Sequence, residues 1–393
     1  MRSPLILLLL PWALACSGPA LPADVTCDGA LTAVADPFAL ELAVASNSGA
    51  APGDCVVVAG GAYARPLVVS APGIVVTAEA DAEVVLSSPG IGLELTSSAT
   101  VRGFVIDTPG RHGVLITGSG ARLLDTEIID PGEAAVMIKC EDSGCMQRSG
   151  RIEVEGLRAS NAKYGIYVDG SDVVIRDTVI SGGGSEQLGG GGGLYAVNGA
   201  TVELSTTRLV QNAYGLIADG TTTRVLAIDV EVSGNTELGV WAQGLRGSRA
   251  LPALELRGAG TRIVDNRVVG VGAFDSAGVT ISGAEVRGTV ETEVVLDLTR
   301  RAMLGEGLSL LAGSRDVEVT QTRLVDNGRA QILVDTAGND IRLDPSNTVS
   351  GGRYPVVVQA SVEVVDVPAA QLAAGVSGLA VQLTGLRFTP PAR

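Results

Sequence analysis

Short apolar segments with alternating side chains recur along this chain, and an asparagine and a glycine stand at fixed places before them. One copy reads Leu-Val-Gln-Asn-Ala-Tyr-Gly-Leu-Ile-Ala over residues 209–218, and further copies centre on Asn235, Asn266 and Asn327. Short strands joined by turns, with a period of about 20–25 residues, are typical of a solenoid in which each coil stacks on the previous one. The pattern therefore predicts an all-β solenoid.

The repeat also predicts which side chains face the core, because side-chain direction alternates along a strand. The first and third residues after the repeat glycine should point inward, and the second and fourth outward. An outward strip of aromatic residues with interleaved carboxylates is the form of a sugar-binding groove. The alternative is that loops such as the glycine-rich segment 182–193 bury the strip. The predicted ligand-binding residues are Tyr164, Tyr167, Asp169, Tyr195, Tyr214, Asp219 and Trp241.

Composition narrows the classes of function. Hydrophobic residues make up 46% of the chain but aromatic residues only 3%, which suits a narrow stacked core. The net charge is −15 without a basic patch, so the chain lacks the electrostatic footprint of a nucleic-acid-binding protein. The acidic surface is expected to maintain solubility, and calcium binding between stacked carboxylates is the alternative. No other cofactor or metal site is predicted.

The amino terminus has the features of an export signal. A positive start is followed by the apolar run 5–10, which is too short to span a bilayer. The small residues before Cys16 resemble the lipobox of bacterial lipoproteins, which implies removal of residues 1–15 and lipidation of Cys16. Ser17, by the same resemblance, implies the outer membrane. The expected location is therefore the cell envelope with a membrane anchor, and an ordinary secreted protein is the alternative.

Four cysteines remain after Cys16, and an even number in an exported chain suggests two disulfides. Cys140 and Cys145 lie so close in sequence that they could only staple a loop. Cys27 paired with Cys55 would then tie the amino-terminal tail to the first coil. A zinc site is disfavoured because the cysteines lack paired two-residue spacings.

Asp36 and Pro37 have the sequence of a helix cap and first turn. The following segment 52–63, Pro-Gly-Asp-Cys-Val-Val-Val-Ala-Gly-Gly-Ala-Tyr, resembles the start of right-handed parallel β-helix proteins of the pectate-lyase-like superfamily. The resemblance implies a helix that covers the first coil. The expected organisation is a signal peptide over residues 1–15, a tether over 16–35, a β-helix over 36–365 and a carboxy-terminal cap over 366–393.

Many proteins that share this fold are pectate lyases, polygalacturonases or mannuronan epimerases, but the chain lacks their Asp-Pro-His and Asn-Thr-Asp motifs. The candidate catalytic residues are Asp169, Asp219 and His112, the only histidine. A histidine in a turn is more often a surface residue than a base, and a Ser-His-Asp triad cannot be assembled.

The sequence thus favours a lipid-anchored surface protein that binds polysaccharide or is displayed toward it without catalysis. One alternative is a polysaccharide lyase or glycosidase that acts on an acidic glycan through Tyr167, Asp169, Asp219 and His112. Another is a purely structural or adhesive rod. The pattern leaves the identity of the glycan and the oligomeric state undecided.

Overall fold

The protein is a right-handed parallel β-helix, which confirms both the solenoid predicted by the repeat and the fold implied by the resemblance. The computed structural model describes residues 20–23, 25–107, 110–139, 150–183, 191–295, 301–335 and 339–359. In this part of the chain, three parallel sheets contain thirteen, twelve and twelve strands, here called sheets A, B and C. Successive strands pass from A to B to C, so each coil adds one strand to every sheet. Twelve spacings of about 4.8 Å give a rod about 58 Å long.

Sheet A contains Leu31–Val34, Cys55–Val58, Val75–Ala78, Thr100–Arg102, Arg122–Leu124, Ile152–Glu155, Asp172–Arg176, Thr201–Ser205, Arg224–Ile228, Leu254–Arg257, Ala277–Ser282, Arg315–Thr320 and Ile341–Leu343. Sheet B contains Gly61–Tyr63, Val84–Ser87, Phe104–Asp107, Glu127–Ile129, Arg158–Ser160, Val179–Ser181, Arg208–Val210, Glu231–Ser233, Arg262–Val264, Glu285–Arg287, Arg323–Val325 and Thr348–Ser350. Sheet C contains Leu67–Val69, Leu93–Leu95, Val114–Ile116, Ala134–Ile138, Tyr164–Asp169, Gly192–Val197, Tyr214–Asp219, Leu238–Gln243, Val269–Phe274, Glu306–Leu311, Ala330–Asp335 and Tyr354–Gln359. An antiparallel hairpin of Thr292–Val295 and Arg301–Leu304 interrupts the coils.

The helix Pro37–Val44 covers the amino-terminal end of the core. The Asp36 carboxylate accepts hydrogen bonds from the backbone amides of Phe38 and Ala39, at 3.1 and 2.9 Å. Leu40 and Val44 are buried against the first coil. Because a β-helix otherwise ends in unpaired backbone groups and an uncovered core, this helix closes the rod.

The predicted tether extends too far. Residues 31–34 form the first strand of sheet A and pair in parallel with Cys55–Val58. The segment reads Leu-Thr-Ala-Val, and its last residue is buried in the core. Because these residues favour strands, the segment pairs with the first coil instead of forming part of a tether.

The predicted disulfide between Cys27 and Cys55 is confirmed, with Cα atoms 5.7 Å apart. The signal peptide, Cys16, the pair Cys140–Cys145 and the carboxy-terminal cap lie outside the described residues. No helix within the described ranges is long and apolar enough to cross a membrane.

The asparagines of the repeat form a buried ladder where the chain turns from sheet B into sheet C. The backbone amide of Asn212 donates to the side-chain oxygen of Asn235, and that of Asn235 donates to Asn266, at 2.9 and 3.1 Å. The left-handed conformation belongs to the residue before each asparagine, as in Gln211 and Asp265, with φ of 57° and 56°. Asparagine is therefore needed here for the hydrogen bonds of its side-chain amide, and not because it tolerates a left-handed backbone conformation.

Candidate functional site

The aromatic residues that the repeat places outward do share one face, the outer face of sheet C. Tyr167 is aligned with Tyr195 on the adjacent strand. On the next two strands of the same sheet, Ile217 is aligned with Trp241. The inward partners of the same strands, such as Ile166, belong to the main core. The alternation therefore predicts side-chain direction correctly on this sheet.

The expected exposure of this face is wrong. Trp241 is 0% exposed, Tyr167 4% and Tyr195 5%, and Tyr164 is also buried, while Tyr214 is half-buried. The rings of Tyr167 and Tyr195 stack at 6.1 Å, and Tyr164 meets Tyr195 edge to face at 5.1 Å. These residues form a second apolar cluster outside the main core, so the described face is not a groove open to solvent.

The inserted hairpin supplies part of the cover. Its Leu304 is buried in the same cluster as Trp241, and Val294 packs against that cluster. The strand after the hairpin begins with a fully buried ion pair, in which Arg329 Nη1 lies 2.6 Å from Glu306 Oε1. Burial raises the pKa of Glu306 to about 7, against the opposing effect of Arg329. This pair could not be predicted from the sequence, because nothing in the repeat marks either position.

The two candidate carboxylates belong to the last residues of two sheet C strands, directly before the turns that follow them. Asp169 is buried and accepts a 2.8 Å hydrogen bond from the side-chain amide of Asn198. Asp219 is half-buried, and its backbone oxygen accepts from the Thr223 hydroxyl at 2.6 Å. Since two coils separate them, they lie about 10 Å apart. Both residues thus take part in hydrogen bonds with residues of neighbouring turns.

His112 is not the surface residue that a turn histidine suggests, because it is almost fully buried. Its Nε2 lies 3.6 Å from Glu133 Oε2, which also pairs with Arg111 Nε at 3.0 Å. Burial lowers the pKa of His112 to about 4, although Glu133 opposes the shift. The imidazole is therefore neutral at neutral pH.

The outer face of sheet A carries a groove of about 330 Å³, which contains none of the residues predicted from the sequence as ligand-binding or catalytic. Its side chains come from five successive coils, so the groove follows the rod axis for about 19 Å. Asp172, Thr201 and Arg224 are aligned in one row across neighbouring strands. The next row over consists of Val174, Glu203, Leu226 and Glu255.

Ion pairs and one inserted loop shape this groove. Arg151 Nη2 lies 2.6 Å from Glu203 Oε2, with both side chains about half exposed. Arg224 Nη1 donates to the backbone oxygen of Pro252 at 3.1 Å, which fixes the guanidinium against the groove wall. The groove thus presents donors and acceptors around a partly apolar floor. The alternation that served for sheet C, applied to sheet A, would have found these positions.

No group of three or more His, Cys, Asp or Glu side chains suited to a metal ion occurs in the described ranges. Calcium binding therefore has no candidate cluster among these residues.

Comparison with known proteins supports the fold class. A family model described as "Right handed beta helix region" matches residues 145–324. The A-module of mannuronan C-5 epimerase AlgE6 from Azotobacter vinelandii is 16% identical, with 85% of this chain and 90% of that chain covered and a TM-score of 0.54. The periplasmic alginate epimerase AlgG is 11% identical, with 86% and 82% covered and a TM-score of 0.55. No curated protein matches by sequence. These similarities establish the fold.

Proposed function

We propose that the protein is a lipid-anchored, extracytoplasmic β-helix that binds polysaccharide without catalysis, through the groove on sheet A. The observation that carries the proposal is the groove itself, where charged side chains from successive coils surround Val174 and Leu226. The two structural relatives are named for alginate epimerisation, which supports a polysaccharide as the class of ligand. Cys16 would carry the anchor.

The chemistry of the groove suits a sugar chain. Carboxylates accept hydrogen bonds from hydroxyl groups, guanidinium groups donate to ring and hydroxyl oxygens, and apolar floor residues contact the C–H faces of sugar rings. The groove runs along the rod, so consecutive sugars would meet equivalent positions on consecutive coils. This arrangement favours a polymer over a single small molecule.

Electrostatics favours a neutral polymer. The groove contains Asp172, Glu203 and Glu255 against Arg151 and Arg224, and the whole chain has a net charge of −15. A polyanion would therefore approach a surface of the same sign, at a cost that is largest at low salt.

The enzymatic alternative receives less support. His112 is buried and neutral, and burial raises the pKa of Tyr195 and of Tyr214. Such groups exchange protons poorly near neutral pH, where a general base should have a matched pKa. Asp169 is held in a turn by Asn198.

Affinity electrophoresis against neutral and uronate polymers tests the proposal. We expect retardation by at least one neutral polymer, and loss of most of it in Arg224→Ala and in Glu203→Gln. Glu318→Gln is the matched control, because Glu318 lies on the same outward row of sheet A but does not line the groove. Absence of binding to every polymer, or binding by the groove variants equal to that of the wild type, would contradict the proposal that the groove binds polysaccharide.

The same incubations separate binding from catalysis. Unsaturated-product absorbance or new reducing ends would support the lyase or glycosidase alternative. We expect neither signal.

A further inference from the structure

The helix Pro37–Val44 is apolar on nearly all sides, with Glu41 as its single charged residue. Leu40 and Val44 face the core, whereas Phe38 is 64% exposed and Leu42 56% exposed. At 100° per residue, Phe38 and Leu42 share a face almost opposite to the buried one. They therefore point away from the first coil, out of the end of the rod.

Apolar exposure is concentrated at this end of the molecule. Within the described residues, seven large apolar side chains are exposed, and four of them lie on the helix or on the terminal strands of sheets A and C. These four are Leu31, Phe38, Leu42 and Val68. A helix that is apolar all round is normally covered on both faces, and a clustered apolar surface marks an interaction site.

The chain path brings the predicted anchor to the same end. The backbone amide of Ala80 donates to the Ala20 carbonyl at 2.9 Å, so residue 20 is held against the turn that follows the strand Val75–Ala78. Ala20 is the fourth residue after Cys16, so their Cα atoms lie at most about 14 Å apart. A lipid on Cys16 would keep the first coils close to the bilayer surface.

We propose that the helix face formed by Phe38 and Leu42 inserts into the interfacial region of a lipid bilayer. The inference rests on the proposed lipid anchor at Cys16. The anchor supplies proximity, and the apolar pair then fixes the orientation of the rod on the membrane. Membrane attachment is stable when two such signals act together.

The contact should be apolar rather than electrostatic. The neighbouring charges are Asp36, Glu41 and Arg65, and Arg65 pairs with Glu41 at 3.7 Å. No lysine lies near the helix, because the chain has only Lys139 and Lys163. Insertion should therefore be insensitive to salt and to anionic lipid.

Tryptophan fluorescence in vesicles of brominated phosphatidylcholine tests the inference on the full acylated chain. Phe38→Trp reports on the helix face, and Leu251→Trp is the matched control, since Leu251 is 62% exposed elsewhere on the rod. The native background of bromine quenching is small, because Trp241 is fully buried and Trp12 lies in the predicted signal peptide, so the emission of the unsubstituted protein can be subtracted. We expect a blue shift and several-fold stronger bromine quenching in Phe38→Trp, unchanged at high salt.

Mass spectrometry of the amino-terminal peptide and co-sedimentation with vesicles test the anchor separately. Co-sedimentation with equal, weak quenching in both variants would overturn the inference and leave the anchor intact. Lack of acylation and of co-sedimentation would overturn both. A blue shift of Phe38→Trp in the absence of vesicles, together with concentration-dependent sedimentation, would show that this helix face contacts a second copy of the chain. That result would also overturn the inference of membrane insertion.

Discussion

The outer faces of sheets A and C are built from the same repeat, yet one is an open polar groove and the other a covered aromatic cluster. On sheet C, Tyr167 and Trp241 are buried in a cluster that includes Leu304 of the inserted hairpin. On sheet A, the insertion before Leu254–Arg257 contributes Pro252 to the wall of the groove and leaves Leu226 partly exposed, although Val174 on the same row is buried. Insertions, not the repeat, therefore decide which outer face of this solenoid is covered and which stays open to solvent.

We expect the largest loss of stability from a substitution at Trp241, on the covered face of sheet C. Trp241→Ala should lower the free energy of unfolding by about 4 kcal/mol, because it removes a large side chain from a closed cluster. Leu226→Ala on the floor of the sheet A groove should cost about 1 kcal/mol, since Leu226 is only half-buried. Urea denaturation followed by circular dichroism measures both values. Equal losses would mean that the two faces are equally covered.

The ion pairs of the two faces provide a second contrast. Arg329→Ala should cost about 3 kcal/mol, because it leaves the carboxyl group of Glu306 buried without its partner. Arg122→Ala should cost less than about 1 kcal/mol, since Arg122 pairs with Glu153 on the exposed face of sheet A.

The same denaturation series measures this pair of variants. Added salt should further reduce the small effect at Arg122 and leave the effect at Arg329 almost unchanged. An Arg329→Ala variant as stable as the wild type would show that Glu306 finds another partner or becomes solvated.

The turn that holds His112, before the sheet C strand Val114–Ile116, should respond to acid. The pKa of His112 falls from 6.5 to about 4 on folding, so the unfolded chain binds more protons in this window. Stability should therefore decline as the pH falls from 6.5 to about 4. In His112→Gln, which cannot titrate, the part of the slope due to this residue should vanish. Denaturation midpoints across this range provide the measurement, and identical slopes in both proteins would contradict the burial effect.

The smallest stability effect should come from the groove. Glu203→Gln should change the free energy of unfolding by less than about 0.5 kcal/mol, because the Glu203 side chain is 40% exposed in its pair with Arg151. Any loss of polysaccharide binding in this variant would then reflect the groove itself. Unfolding at a markedly lower temperature would instead assign Glu203 a structural role.

Much of the fold follows from local pattern. The cap at Asp36 and the inward position of Ile166 were predictable because each depends on spacing within a few residues. The ladder of Asn212, Asn235 and Asn266 joins successive coils, and it follows from the recurrence of asparagine at the same place in each repeat. The strand Leu31–Val34 was missed because it is short and pairs with a segment beyond the helix. The predicted aromatic strip is buried and not exposed, because the alternation gives side-chain direction and leaves open whether a loop covers the strip.

The sequence by itself determined the coil, its core and the direction of each side chain, since these obey a period that repeats along the chain. Only the tertiary structure decided that Tyr195 and Trp241 are buried and that Arg224 lines an accessible groove. The physical reason is that cover depends on contacts between residues far apart in sequence, such as Leu304 with the aromatic cluster. A periodic pattern contains no information about where an insertion packs.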